Sequence, residues 1–108
     1  MPMTEAQDLA LLARAIELSH QSRARGDHPF GAVLANVNGE ILLEAMNTGG
    51  TVGDRTGHAE RNLMSTASIK YSADELRACT MYTSAEPCAM CAGAVYWAGV
   101  GRMVFGLG

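Results

Sequence analysis

The sequence predicts an α/β fold: a mixed sheet with helices on its faces. Three observations carry that reading. Segments with helical apolar spacing alternate with short strand-like runs. An Asn-Gly pair joins two of those runs as a hairpin. The later runs are separated by helices, so those strands should lie parallel. The predicted order is helix, hairpin, helix, strand, helix, strand.

The first helix is expected over 4–25. Thr4 and Gln7 have capping-box spacing, and Gly26 supplies a stop. Leu9, Leu12, Ala13 and Ile16 recur at helical spacing and are expected to face the core. Arg23 and Arg25 suit the negative end of the helix dipole. Two strands follow, over 30–37 and 40–46, turned by Asn38-Gly39. The stretch 47–57 is a polar, Gly-rich loop. A second helix is expected over 58–70 and a strand over 79–83. Pro87 then precedes a helix over 88–98, since proline suits a first helical turn. A last short strand spans 102–105.

At 108 residues the chain reads as one domain, small enough for a metal or a partner chain to matter to its stability. No apolar run approaches the roughly 18 residues that a membrane span needs. The first residues lack the basic start and apolar stretch of a signal peptide, so a cytoplasmic location is expected. Three cysteines, an odd number, argue against a disulfide framework. The net charge is −3, and Arg14, Arg23 and Arg25 are the nearest approach to a basic patch. That balance weighs against a nucleic-acid partner and for a small molecule.

The chemistry concentrates in His58-Ala59-Glu60 and Pro87-Cys88-Ala89-Met90-Cys91. One imidazole and two thiolates can hold one zinc ion through three protein ligands, leaving a position for water, the layout of a catalytic site. Both motifs are expected at helix starts beside strand ends. That environment favours thiolates at Cys88 and Cys91. Glu60 is placed to take a proton from the water and return it to a leaving amine. Other readings stand beside this one. Cys88 and Cys91 could be half of a structural zinc site with Cys79 as fourth ligand, although Cys79 is more simply a small buried residue. A redox pair leaves His58 and Glu60 without a part.

His58-x-Glu60 paired with Pro87-Cys88-x-x-Cys91 matches a known zinc deaminase signature. Around it stand Pro29-Phe30-Gly31-Ala32-Val33, Asn47, Thr83-Ser84-Ala85-Glu86 and Gly101-Arg102-Met103-Val104-Phe105-Gly106. On these residues the chain resembles the cytidine and deoxycytidylate deaminase-like superfamily. Within it, the chain is most similar to the branch of bacterial guanine deaminases and tRNA adenosine deaminases.

The resemblance implies a three-layer α/β/α cytidine deaminase-like fold. It implies a zinc-dependent hydrolase acting on C–N bonds of cyclic amidines, with one zinc per chain. By the same resemblance His58, Cys88 and Cys91 bind the metal and Glu60 is catalytic. Asn47 hydrogen-bonds the base, Phe30 lines its pocket, and Ala59, Glu86 and Trp97 are further substrate-binding candidates. The plainer alternatives are a turn residue at Asn47, a core aromatic at Phe30, a helix-start carboxylate at Glu86 and a packed aromatic at Trp97. Tyr96-Trp97-Ala98 resembles the guanine deaminase side, so the substrate expected is a nucleobase or nucleoside, most like guanine. A tRNA adenosine or single-strand deaminase is the alternative, and a zinc-stabilised non-catalytic fragment is another.

Two departures from the branch stand out. Asp54-Arg55-Thr56-Gly57 replaces an Asp-Pro-Thr pattern and makes the loop before His58 hard to draw. Relatives usually continue past Phe105-Gly106 with another strand and one or more helices. Domain 1–108 is therefore expected to be a C-terminally short deaminase domain. Its last strand is then an open sheet edge, which a homodimer could cover.

Overall fold

The computed structural model describes residues 3–106. In chain order it contains α1 (Glu5–Ala24), β1 (Gly31–Ala35), β2 (Ile41–Met46), α2 (Ala59–Lys70), α3 (Ala73–Arg77), β3 (Thr80–Thr83), α4 (Ala89–Ala98) and β4 (Arg102–Phe105). The four strands form one sheet in the order β2-β1-β3-β4. β1 pairs antiparallel with both β2 and β3, while β3 and β4, joined through α4, are parallel. The sheet is mixed, as the helical connections predict.

Both faces of the sheet are covered, which makes three layers. Leu11, Ala15 and Leu18 of α1 pack on Val33, Ala35 and Tyr82. On the other face Leu63, Met64 and Ala67 of α2 and Val95 and Ala98 of α4 meet Ala32, Leu34 and Met81. β1 is buried along its whole length, so it reads as a continuous apolar run rather than an alternation.

α1 begins with the expected capping box: the Thr4 hydroxyl accepts from the Gln7 amide, and the Gln7 side chain accepts from the Thr4 amide. Gly26 follows its end with a φ of 98°, the left-handed region glycine reaches without strain. The buried face differs from the expected one. Leu11, Ala15, Leu18, Ser19 and Ser22 face inward, while Leu9 and Ile16 are exposed. The run 9–13 is apolar all round, so spacing does not choose a face; close packing does. A Cβ on Gly31 would stand 2.4 Å from the Ala15 carbonyl oxygen, so the helix lies against the start of β1 where only glycine fits.

Three further boundaries differ from expectation. β1 stops at Ala35 and β2 starts at Ile41, so the hairpin loop is longer than Asn38-Gly39 alone. The Asn36 side chain accepts from the amides of Asn38 and Glu40 and so builds the turn itself. Phe30 lies just before β1 rather than in it. The short helix α3 was not expected, although Ser72 and Glu75 form a capping box for it. Five residues are too few to show a helical period.

The arrangement gathers one end of the sheet. Gly31 pairs with Met46, Ala32 with Thr83, and Thr83 with Phe105. The Asn47 amide donates to the Phe30 carbonyl, the Ser84 amide to that of Gly31, and the Gly106 amide to that of Thr83. Phe30, Asn47 and the segment 84–88 therefore emerge together.

The opposite end of the sheet is pinned to α1. Arg102 donates two hydrogen bonds to the Asp8 carboxylate at 2.9 and 2.5 Å, and the Tyr82 hydroxyl donates a third. The Arg102 guanidinium, outweighing the desolvation cost with help from the Tyr82 hydroxyl, holds the Asp8 carboxyl down at about 2. A carboxyl depressed below its unfolded value of 3.8 stabilises the fold above about pH 4, and that contribution is lost as pH falls towards 2. Asp8→Asn is expected to cost about 1 kcal/mol at pH 7, discounted for partial exposure. Thermal melts at pH 7 and at pH 2 check this: the gap between wild type and variant should close at the lower pH.

Candidate functional site

His58 and Cys88 are the N-cap residues of α2 and α4. Both have extended backbone, with φ and ψ of −69° and 149° for His58 and −70° and 174° for Cys88. Neither side chain is used to cap its own helix, so each is available for other chemistry. One turn into α4, Cys91 points to the same place. The two sulfurs lie 3.6 Å (Cys88) and 3.5 Å (Cys91) from the His58 Nδ1. All three atoms fall within 4.8 Å of one another. One imidazole and two thiolates around a tetrahedral zinc stand roughly 3.5–3.8 Å apart. The donor set and its spacing therefore fit a zinc ion.

Cys79 is far from this cluster. It precedes β3 whereas Cys88 follows it, and its Sγ donates to the Glu75 carbonyl at 3.4 Å. It is buried, as a small core residue would be, so the reading of Cys79 as a fourth ligand has no geometry behind it.

Glu60 sits in the first turn of α2 and is only 7% exposed. With Phe30, His58, Glu86 and Cys88 it lines a hollow of about 100 Å³ beside the donor cluster. Burial raises its carboxyl above the ordinary glutamate range, partly offset by hydrogen bonds and by His58. Burial, then Glu60 and Cys88, push the Cys91 thiol up to about 12. Burial beside a carboxylate thus outweighs the helix-start effect on the Cys91 thiol itself. A divalent cation between the sulfurs reverses that balance by stabilising the thiolate.

The remaining expected residues divide into two groups. Phe30, half-exposed, forms the wall between the small hollow and an apolar one of about 440 Å³, bordered by Ile16, Ser19, Pro29, Ser84 and Ala85. Ala59 is buried behind Glu60 in the first turn of α2, and Glu86 is exposed on the rim. Asn47 is buried at the end of β2, where its Oδ1 accepts from the Gly49 amide at 2.8 Å. That fixes the amide with its nitrogen left to donate. Trp97 is not brought to this place. It lies in the last turn of α4, 84% exposed, edge-on to Tyr96 and beside a separate hollow with Met64 and Ser68. It is not a packed aromatic either.

The loop 48–57 explains why Asn47 and His58 can stand together. Its neck is closed by the Thr48 amide donating to the Gly57 carbonyl at 2.8 Å. The Asn62 side chain donates to Met46 and Gly57 carbonyls and to the Thr48 hydroxyl. The result is an Ω-loop, whose ends meet. Asp54 turns the chain by accepting from the amide and hydroxyl of Thr56. Asn62 is a site-supporting residue that sequence reasoning passed over. Its one signal is its place four residues after His58, one turn along the same helix.

Comparison with known proteins agrees with this geometry. The cytidine and deoxycytidylate deaminase zinc-binding region matches residues 5–107. A probable cytosine deaminase of Schizosaccharomyces pombe is 45% identical over 101 residues, which are 94% of this chain and 60% of that protein. A tRNA-specific adenosine deaminase of Bacillus subtilis is 37% identical over 100 residues, 93% of this chain and 62% of the relative. The structure of guanine deaminase from Bacillus subtilis superposes with a TM-score of 0.82 at 36% identity, covering 95% of this chain and 64% of the other. The chain thus spans about three fifths of the length of these relatives.

Zinc titration against a competing chelator is expected to give about one ion per chain. His58→Ala, Cys88→Ala and Cys91→Ala should each weaken binding by about 100-fold or more, because a lost ligand costs at least as much as a lost supporting group. Cys79→Ala should leave it unchanged.

Proposed function

The chain belongs to the cytidine and deoxycytidylate deaminase zinc-binding family, and on that premise we propose that it is a zinc-dependent hydrolytic deaminase of a free nucleobase or nucleoside, most like guanine deaminase. One observation carries the reading: a buried carboxylate, Glu60, shares a small hollow with the His58 and Cys88 donors. Domain 1–108 is proposed as the deaminase unit.

In this mechanism His58, Cys88 and Cys91 hold the zinc. When bound, zinc supplies a Lewis acid that lowers the pKa of water towards neutrality. Glu60 accepts a proton from the attacking water and delivers it to a ring nitrogen of the base. The water oxygen adds to the ring carbon that bears the amine, and that carbon becomes tetrahedral. Glu60 then carries the proton of the added hydroxyl to the amine. The C–N bond breaks, ammonia leaves and a carbonyl remains. The partly buried site raises the Glu60 pKa, which suits a group that must both take and give a proton. Phe30 offers a ring face to the base, the Asn47 amide nitrogen offers a donor, and Ala59 and Glu86 border the ring and the leaving amine.

The lining favours a small neutral substrate. Neither the hollow at Glu60 nor the apolar one beyond Phe30 carries a lysine or arginine. A polyanionic strand needs such groups along its backbone. Trp97 stands away from these hollows, so the preference for guanine rests on the family branch and not on that residue. Cytosine is the second reading, favoured by the similarity to the fission yeast protein. We further propose a cytoplasmic homodimer, with the exposed Tyr96 and Trp97 of α4 as a surface a second copy would cover. Among the described residues no helix is long and apolar enough to cross a membrane.

A panel of guanine, cytosine, adenine, their nucleosides and a tRNA anticodon stem, read by ammonia release, tests the reading. Guanine or cytosine should be turned over with little dependence on salt, whereas steep salt dependence on the RNA would favour the editing alternative. Glu60→Ala should keep its zinc and lose about 10²–10⁴ in kcat. A zinc-loaded, folded chain that releases no ammonia from any of these would leave only a non-catalytic module.

A further inference from the structure

The loop 48–57 is held at two places, its neck and its tip. Its tip is gripped by Asp27, from the connection between α1 and β1. One carboxylate oxygen accepts from the Gly50 and Thr51 amides, each at 2.8 Å. The other accepts from the Thr51 hydroxyl at 3.0 Å and from the Arg25 Nε at 2.9 Å. The Asp27 side chain is fully buried beneath a tip whose residues 51–56 are exposed. A Cβ on Gly50 would stand 2.7 Å from the Asp27 oxygen, so this approach requires glycine there. Burial alone would raise the Asp27 carboxyl, yet the four donated hydrogen bonds keep it below the ordinary aspartate range.

Arg25 extends the grip to the site. Its Nη2 donates to the Asn47 carbonyl at 2.8 Å, and the Ser22 hydroxyl reaches the same oxygen at 3.4 Å. The Asn47 amide in turn donates to the Phe30 carbonyl, three residues after Asp27. Asp27, Arg25, Asn47 and Phe30 thus form one connected patch. The opposite side of the site, His58, Glu60, Cys88 and Cys91, is placed by the starts of α2 and α4, and it meets the patch at Phe30 across the small hollow.

We propose that Asp27 is a positioning residue: it latches the tip of the loop and thereby holds Asn47 and Phe30 in the arrangement that receives the base. The inference rests on the reading of Asn47 as a base contact. It goes beyond it by assigning affinity for the base to a residue that touches neither base nor metal. Loss of the latch frees the segment 49–51, and the base must then order it on binding. Affinity suffers while the proton chemistry at Glu60 does not.

The test compares wild type, Asp27→Ala, Asp27→Asn, Thr51→Val, Thr51→Ser and Asn47→Ala, all zinc-loaded. Asp27→Ala should raise KM for the base about tenfold or more with kcat within about threefold and zinc content unchanged. Asp27→Asn and Thr51→Val should fall between, and Thr51→Ser should restore wild-type KM. In the Asn47→Ala background Asp27→Ala should add little, since both act through one contact. Amide hydrogen exchange reads the latch without any substrate: Gly50 and Thr51 should lose protection in Asp27→Ala while Thr48 in the neck keeps it. Unchanged exchange at the tip overturns the proposal, and so does a parallel loss of kcat, zinc and melting temperature. An Asn47→Ala chain with normal KM would instead overturn the base-contact reading. Should Asp27→Ala fail to fold, Thr51→Val carries the same comparison.

Discussion

Everything at the site depends on α2 and α4 lying side by side on one face of the sheet with both N-termini at the same end. Ala59, Leu63, Met64 and Ala67 of α2 share one buried cluster with Val95 and Ala98 of α4. Small residues at 59, 67 and 98 let the helices approach closely, and the strands beneath set their direction. His58 and Cys88 then become neighbours although thirty positions separate them. The helix N-cap is well suited to the task. Its backbone is extended, its side chain projects beyond the helix, and one further turn adds Glu60 on α2 and Cys91 on α4. A shift of either helix by one residue would separate the three donors.

The metal chemistry is legible in the sequence because it is carried by residue types at fixed short spacings. His58-x-Glu60 and Cys88-x-x-Cys91 each lie within one helical turn, so local geometry places their members. Pro87 and the strand runs mark where those turns begin. Properties that depend on tertiary packing are less legible. The buried face of α1 is decided by Gly31 meeting Ala15, not by the spacing of Leu9, Leu12, Ala13 and Ile16. Burial overrides the helix-start effect at Cys91. Trp97 carries a family likeness in sequence yet faces solvent at the far end of α4. Asp27 and Asn62 look like ordinary polar residues until the loop 48–57 closes over them.

The site is divided between two kinds of support. The side that carries Glu60 and the three metal donors stands on helix starts, which backbone hydrogen bonds hold in place. The side that would meet the base stands on loops, held by side chains such as Asp27, Arg25 and Asn62. Such a division lets the chemistry stay fixed while loop residues vary, the usual relation between scaffold and recognition. It also fits a chain whose relatives are named for cytosine, for guanine and for a tRNA adenosine.

The central claim is a three-donor zinc site with a position left for water. X-ray absorption at the zinc edge of the loaded chain tests it directly. Two sulfur and two lighter nitrogen or oxygen neighbours are expected: the sulfurs of Cys88 and Cys91, the imidazole of His58 and a water. A shell of three sulfurs and one nitrogen would contradict it, because Cys79, the chain's remaining cysteine, would then hold the position assigned to water.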